Sequence, residues 1–490
     1  MSRFAALFTG LVVLLTAVLG VLLAAEVPTV QRLEGWFWPF RSRDILDMGL
    51  LAAIALFLPA VVAFIAGRPC GDRSRAIGGL VLLLLLGLAL PQAFVLLEKT
   101  KLEPSRQHLY WEAENTYYHT VSGPVTAHEI LTGYDELIAT IKGRYALFLG
   151  TKPPGRLLLY YGLAELAERV VPDRPPGEPL EYGLVNERHR KLVELLMVIL
   201  PLLPVLTLLP LAWLGRCLLA ERALWPVLLF VLTPSWLLLT LSADHFLHPL
   251  LSALLWVLSA KAGLSSRWAW LWGLFLGLVS WLALYVSFAF LPAILLAPVV
   301  AWAAARQHRR EEPPGVSLRR LGIAFGTAGA LFLALGLMAW WVLDYDMSHR
   351  FVAAMETHRR VMKWEQTRGM TSVANAAVLN LAEYAYYLAL PLAGLFLWGI
   401  ASSLRALASR RAAAIDFLTL AVAIVLLASS VLGSSKGEVA RLWLFLLPLV
   451  VVASAQGFTR MVPSPSLLLW QGFAVLQVTW AFLLKWKQVT

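Results

Sequence analysis

Residues 77–97 read Ile77-Gly-Gly-Leu-Val-Leu-Leu-Leu-Leu-Leu-Gly-Leu-Ala-Leu-Pro-Gln-Ala-Phe-Val-Leu-Leu97, with Arg73 and Arg75 just before and Glu98 and Lys99 just after. No side chain in this stretch ionises, and about 20 apolar helical residues are what the hydrocarbon core of a bilayer requires. Similar blocks recur along the 490-residue chain, which is 59% hydrophobic and only 14% charged. A soluble domain carries about 25% charged residues, so an ordinary soluble enzyme, a fibre and a disordered chain are all excluded. The fold class is an all-α polytopic membrane protein.

Hydropathy marks thirteen candidate transmembrane helices, at about 4–25, 47–67, 77–97, 192–214, 223–242, 246–263, 268–286, 288–305, 321–343, 376–400, 416–433, 442–456 and 466–484. The stretch 268–305 reads as two helices or as one broken helix. The first block follows a lone Arg3 and is long for the apolar part of a signal peptide, so it is expected to be a retained helix.

With the N-terminus inside, the inner connections hold sixteen basic residues: Arg68, Arg73, Arg75, Arg216, Arg222, Lys261, Arg267, Arg306, Arg309, Arg310, Arg319, Arg320, Arg405, Arg410, Arg411 and Arg460. The short outer connections hold few. This asymmetry sets the orientation by the positive-inside rule, and it also explains the net charge of +11. The basic clusters flank apolar blocks and form no stripe with interleaved aromatics, so the charge does not point to nucleic acid. Cys70 and Cys217 both fall on the inner side, where a disulfide is not expected.

Two outer segments exceed a turn. Segment 98–191 carries twelve basic and thirteen acidic residues. Segment 344–375 has an amphipathic helical pattern, with Phe351, Met355 and Met362 on one face and His349, Arg350, Arg359, Arg360 and Lys363 mainly elsewhere, as in a helix lying in the headgroup layer. The span interiors are almost free of charge. Glu383 is the deepest ionisable residue, near the outer end of its helix, whereas coupled transporters place charges near the midplane. Polar groups gather at the outer mouth instead.

Four clusters there carry candidate chemistry. In Thr151-Lys152-Pro153-Pro154-Gly155 the prolines mark a helix start, where Lys152 and the free N–H groups favour an anion such as a lipid phosphate; a snorkelling lysine is the alternative. The neighbouring Arg156 is expected to reach the headgroups. In Trp111-Glu112-Ala-Glu114-Asn115-Thr-Tyr117-Tyr118-His119 the carboxylates and rings suit hydroxyl activation and sugar stacking, or else an interfacial amphipathic helix. In Asp244-His245-Phe-Leu-His248 the histidines suit a metal, although capping of the next helix by Ser242 or Asp244 is the simpler reading. In Ser434-Ser435-Lys436-Gly437-Glu438-Val-Ala-Arg441 the charges suit a phosphate or sugar hydroxyl, or a Glu438–Arg441 pair one turn apart.

Taken in order, these elements resemble the GT-C superfamily of integral-membrane glycosyltransferases, in particular the branch of lipid A aminoarabinose transferases and protein O-mannosyltransferases. That branch has Asp-Glu-x-x-Tyr in its first large outer loop and Lys/His-Pro-Pro at the next helix start. Here Glu114-Asn115-Thr-Tyr117-Tyr118 takes the first place and Lys152-Pro153-Pro154 the second. Thr233-Pro234-Ser-Trp236 with Asp244 is similar to the outward hairpin of those proteins, and Gly437-Glu438-Val-Ala-Arg441 to their arginine-bearing segment. The chain departs at Glu114, where the branch has aspartate, and at Asn115, where it has glutamate.

The resemblance implies a GT-C-like core over 77–456, with outer loops 98–191 and 344–375 carrying interfacial helices. Two extra N-terminal spans (1–76) and a C-terminal span (457–490) complete a single transmembrane domain. It also implies inverting transfer of a sugar from a polyprenyl-phosphate donor to the hydroxyl of a glycan, lipid or protein acceptor. Glu114 would be the base, with Glu112 and Asp135 as substitutes. Lys152, Arg441 and Lys436 would hold the donor phosphate, and Tyr118, Asp244 and Glu438 the substrate. Some relatives use a divalent cation; no metal ligand is assigned here. The expected location is a bacterial-type cytoplasmic (inner) membrane with the site on the periplasmic or outer face. A lipid-linked oligosaccharide flippase without bond chemistry, or a scaffold for envelope assembly, are the competing expectations.

Overall fold

The structure, a computed structural model, describes residues 3–25, 32–33, 36–37, 54, 57–58, 60–65, 73–96, 115–141, 148–175, 180, 184–239, 243–265, 267–308, 314–367, 373–432, 439–462 and 466–487. Apart from one two-residue antiparallel pairing of Arg32–Leu33 with Trp36–Phe37, its regular elements are helices. Ten of those helices among the described residues are long and apolar enough to cross a membrane: Ala5–Leu22, Ser74–Phe94, Leu203–Arg222, Ala243–Leu264, Ala269–Val286, Phe288–His308, Leu318–Leu343, Leu390–Ala408, Ala414–Val431 and Leu467–Lys485. The chain is a helical multi-pass membrane protein.

Thirteen spans were expected; among the described residues several of the expected runs are divided, bent or displaced, for local reasons. Thr233-Pro234 breaks the apolar run 223–242 into Trp225–Val231 and Pro234–Leu238, each too short to span. Ala389 has a positive φ of 63°, so the run 376–400 divides into Val373–Leu388 and a spanning helix that starts at Leu390, just ahead of Pro391. The run 442–456 belongs to a pair, Val439–Phe445 and Leu447–Met461, bent by 81°; counted as one span it raises the total to eleven. The run 192–214 is displaced, because the amphipathic helix Glu187–Ile199 ends before Pro201 and the span begins at Leu203. The stretch 268–305 is two helices separated at Ser287. Of the expected span 47–67 only residues 54, 57–58 and 60–65 are described.

Small residues bring the spans together. A Cβ at Gly273 or Gly277 would collide with the backbone of Ala324 and Ala328 on the facing helix, the close approach that small-residue stripes permit in membranes. Buried Trp256 donates from Nε1 to the Ala293 carbonyl at 3.0 Å, joining a second helix pair.

The helix ends sort by charge. At one end Arg460 binds Asp416, which is fully buried and also accepts from Ser403 Oγ (2.8 Å) and from the Ala413 amide (2.7 Å). His308 lies 2.8 Å from the Cys217 carbonyl at the same end, which also receives Lys261 over the Trp213 ring. Helix Ala243–Leu264 starts at the other end with Asp244 and finishes at this one with Lys261. The arginine-rich termini thus share one end, and the candidate chemistry lies at the opposite end.

There the long segment folds into a helical layer with its own apolar core. Helices Asn115–Ser122, Ala127–Thr132, Tyr134–Thr140, Gly155–Val170 and Glu187–Ile199 bury Tyr117, Tyr118, Val121, Tyr134, Leu157, Tyr160 and Leu192. The same core includes Ala243, Phe246 and Leu247, so the layer closes directly onto the first turns of helix Ala243–Leu264.

Candidate functional site

The site is built on the start of helix Gly155–Val170. Lys152 and the two prolines form the turn that leads into it, and the Leu158 amide bonds back to the Pro154 carbonyl at 3.0 Å. Gly155 is required by its neighbour: a Cβ there would overlap the carbonyl and ring of Tyr285, the next-to-last residue of a spanning helix. The absence of a side chain lets the turn settle against the bundle, and this seating takes the following residue inward. Arg156, expected to reach the headgroups, is instead only 3% exposed. That expectation is corrected.

Arg156 Nη1 lies 2.7 Å from Oδ1 of Asp244, which is itself buried in the first turn of helix Ala243–Leu264. His248 Nε2, one turn along, is 3.3 Å from the same oxygen, and Arg441 Nε is 3.6 Å from Oδ2. The Lys152 ammonium is close enough for its charge to act on Asp244 and His248. On its other side the same charge acts on His358, where burial first and Lys152 second hold the imidazole below its usual range. The Arg156 guanidinium also lies 4.9 Å from the centroid of the buried Tyr117 ring. Arg156 and Arg441, from two separate segments, thus meet one buried carboxylate, with Lys152, from the first of those segments, within electrostatic reach.

Of the expected site residues, the fold gathers Lys152, Asp244 and Arg441. Asp244 lies in the first turn of its helix with both carboxylate oxygens engaged by Arg156, His248 and Arg441, while Ser242, the other expected cap, lies outside the described residues. Tyr118, expected to touch substrate, is fully buried, with its ring edge-on to Tyr160 at 5.0 Å, so it packs the core of the outer layer. Asp135 is half-exposed and committed elsewhere: Arg350 binds its carboxylate and the Gly150 carbonyl, with the Tyr134 ring 5.8 Å away. Arg350, read from sequence as part of a headgroup-facing surface, is buried and ties helix Met347–Thr367 to the chain just ahead of Lys152. The side chains of Met362 and Lys363 lie outside the described residues, as do Glu112, Glu114, Lys436 and Glu438.

Sequence reasoning missed Arg156 and Arg350. The only local hint for Arg156 is the glycine before it; Asp244 is 88 residues away in the chain.

The described residues contain no group of three or more His, Cys, Asp and Glu side chains able to hold a metal ion. At Asp244 the surrounding guanidinium and ammonium groups repel a divalent cation, so the donor set does not fit one and no step is routed through a metal. The histidine pair His245 and His248 is likewise not a metal site, since His248 turns to Asp244 and the His245 ring packs on Trp236 at 4.8 Å. The cluster has the chemistry of an anion receptor: charge-assisted donors, preorganised by a carboxylate.

No protein-family model matches the chain, and no curated protein matches it.

Proposed function

We propose that this protein is an inverting glycosyltransferase of GT-C type. It moves a sugar from a polyprenyl-phosphate donor to the hydroxyl of a glycan, lipid or protein acceptor at the outer face of a bacterial-type inner membrane. The observation that carries this reading is the convergence of Lys152, Arg156 and Arg441 on buried Asp244, at the end of the bundle opposite the arginine-rich termini. A phosphate on a membrane lipid arrives at this depth, with its prenyl tail among the apolar helices.

The proposed chemistry is one displacement. The acceptor oxygen attacks the anomeric carbon as the bond from that carbon to the phosphate oxygen breaks, which inverts the configuration. Negative charge grows on the departing phosphate, and the Lys152, Arg156 and Arg441 cations stabilise it more as it leaves. Asp244 is a positioning residue that holds the two arginines in place. A carboxylate must take the acceptor proton, and Glu114 is assigned that part, with Glu112 as substitute. Asp135 is the weaker substitute because Arg350 already engages it. Lys436 and Glu438, in the segment leading to Arg441, are assigned to phosphate and substrate respectively. The flippase alternative calls for charged groups through the span interiors, and no observation favours it.

The test is phosphate-specific binding by full-length protein in nanodiscs, comparing undecaprenyl phosphate with neutral undecaprenol. A hydrogen bond to a charged group contributes about 1.5–3 kcal/mol, so Lys152→Ala and Arg156→Ala should each weaken undecaprenyl phosphate about 10- to 150-fold and leave undecaprenol alone. Affinities within about twofold of wild type in both variants refute the clamp.

A further inference from the structure

Folded proteins pair nearly all their buried polar side chains, so a group of unpaired ones calls for an explanation. One such group adjoins the cation cluster. Asn380 is fully buried with neither amide atom hydrogen-bonded, and Tyr384, one turn later, is buried with its hydroxyl unpartnered. Trp236, also fully buried, has an unpartnered Nε1, and its short helix Pro234–Leu238 packs against helix Val373–Leu388, which carries the other two.

Asn380, Glu383 and Tyr384 follow the i, i+3, i+4 spacing and so share one helix face. That face meets the segment bearing Arg441. The Ala440 amide donates to Glu383 Oε1 at 3.3 Å, and the Tyr384 ring packs edge-on against Trp443 at 5.5 Å. The polar face therefore begins one residue from the guanidinium that reaches Asp244. In a polyprenyl-phosphate sugar the sugar is bonded directly to the phosphate, so its subsite must adjoin the phosphate clamp.

The chemistry of the face discriminates between ligands. An amide and a phenol both donate and accept, an indole N–H donates, and a carboxylate accepts. A hydroxyl-rich ring can use all of these, since each of its hydroxyls also donates and accepts. A second phosphate would be repelled by Glu383, and an inorganic cation has no use for an indole N–H or an amide N–H. We propose that Asn380, Tyr384 and Trp236, with Glu383, form the subsite for the sugar head of the donor. This rests on the glycosyltransferase reading and extends it to residues that the resemblance does not name.

The experiment measures binding to full-length protein in nanodiscs. The probes are bare undecaprenyl phosphate and undecaprenyl phosphate carrying a hexose, an N-acetylhexosamine or a pentose. Wild type should prefer at least one sugar-bearing lipid by about tenfold or more, the effect of two or three neutral hydrogen bonds. Asn380→Leu and Tyr384→Phe should each cut that preference by about 3- to 10-fold and leave the affinity for the bare lipid unchanged. Lys152→Ala should weaken both lipids together.

If the unpaired groups are only imperfections of packing, the two variants melt at the same or a higher temperature and the sugar preference survives, which overturns the proposal. Wild type that binds the bare lipid but prefers none of the three heads also overturns it, and leaves the phosphate clamp standing. Wild type that binds neither lipid refutes the glycosyltransferase reading and the subsite with it. Tyr384→Phe removes a single oxygen, so it decides the matter even if Asn380→Leu does not fold.

Discussion

Asp244→Asn changes almost nothing in shape and everything in charge. In the native protein Asp244 is 2% exposed and accepts Arg156 at 2.7 Å, with Arg441 at 3.6 Å and Lys152 within electrostatic reach. Opposite unit charges 4 Å apart attract by about 4 kcal/mol at an effective dielectric constant near 20. The substitution removes that attraction and leaves three cations repelling one another. Breaking a buried pair by removing one partner typically costs about 3–5 kcal/mol. In a chain of this length each kcal/mol moves the melting temperature by roughly 1–2 °C, extrapolating the size trend, so purified full-length Asp244→Asn in detergent should melt about 3–10 °C below wild type. The second arm separates an anion receptor from a merely structural ion pair. Undecaprenyl phosphate brings a negative charge to the place where one was lost, and a ligand that binds only the folded state raises its stability. It should therefore raise the melting temperature of Asp244→Asn more than that of wild type, while undecaprenol should act equally on both. A fall of less than about 1 °C, or a fall that undecaprenyl phosphate reverses no better than undecaprenol, refutes the reasoning.

Three further outcomes are expected elsewhere in the molecule. Burial, with a smaller contribution from His119, lowers the His189 pKa from 6.5 to about 4; the unfolded chain therefore takes up the proton first, and the contribution of His189 to the stability of the outer layer should be lost as pH falls from about 6.5 to about 4 and be constant outside that window. Hydrogen exchange across this range checks it, and an unchanged slope in His189→Gln refutes the assignment. Arg460→Ala strands buried Asp416 and should lower stability by about 3–5 kcal/mol, seen as a reduced melting temperature; because the pair sits at the arginine-rich end, undecaprenyl phosphate affinity should stay within about twofold, and a larger loss contradicts the separation of the two ends. His128 is exposed in the outer layer, so a cysteine placed there should react with a membrane-impermeant thiol reagent before the membrane is lysed; reaction only after lysis inverts the topology.

The apolar blocks made the class of fold readable because a bilayer imposes a length, and that length shows as hydropathy. Span boundaries were misplaced where the same apolar composition serves a different backbone. Thr233-Pro234 breaks a run that no hydropathy window registers, and the positive φ of Ala389 has no signature in alanine itself; only Pro391, two residues on, hints at a boundary. The site was partly readable for a related reason. Lys152, Asp244 and Arg441 stand within a few residues of a helix start, and such positions can end up together at one end of a bundle. The burial of Tyr118 was not legible because helix Asn115–Ser122 is short and both of its tyrosines enter the same core.

Arg156 shows where local reading stops. An arginine beside an apolar run in an interfacial segment is normally solvated by headgroups, and within ten residues only the glycine before it hints otherwise. What reverses its fate is a pair of tertiary contacts. Gly155 lets the turn press against Tyr285, and Asp244 waits inside, 88 residues on. A buried arginine without a partner would be prohibitive; with a buried carboxylate it becomes a fixed charge. Arg350 repeats the pattern a step further from the centre, binding Asp135 and the Gly150 carbonyl and so restraining the chain that delivers Lys152. Both arginines gain their position from carboxylates contributed by other segments. The cluster is thus assembled from charges that each look superficial in sequence, and its depth comes only from the fold that pairs them.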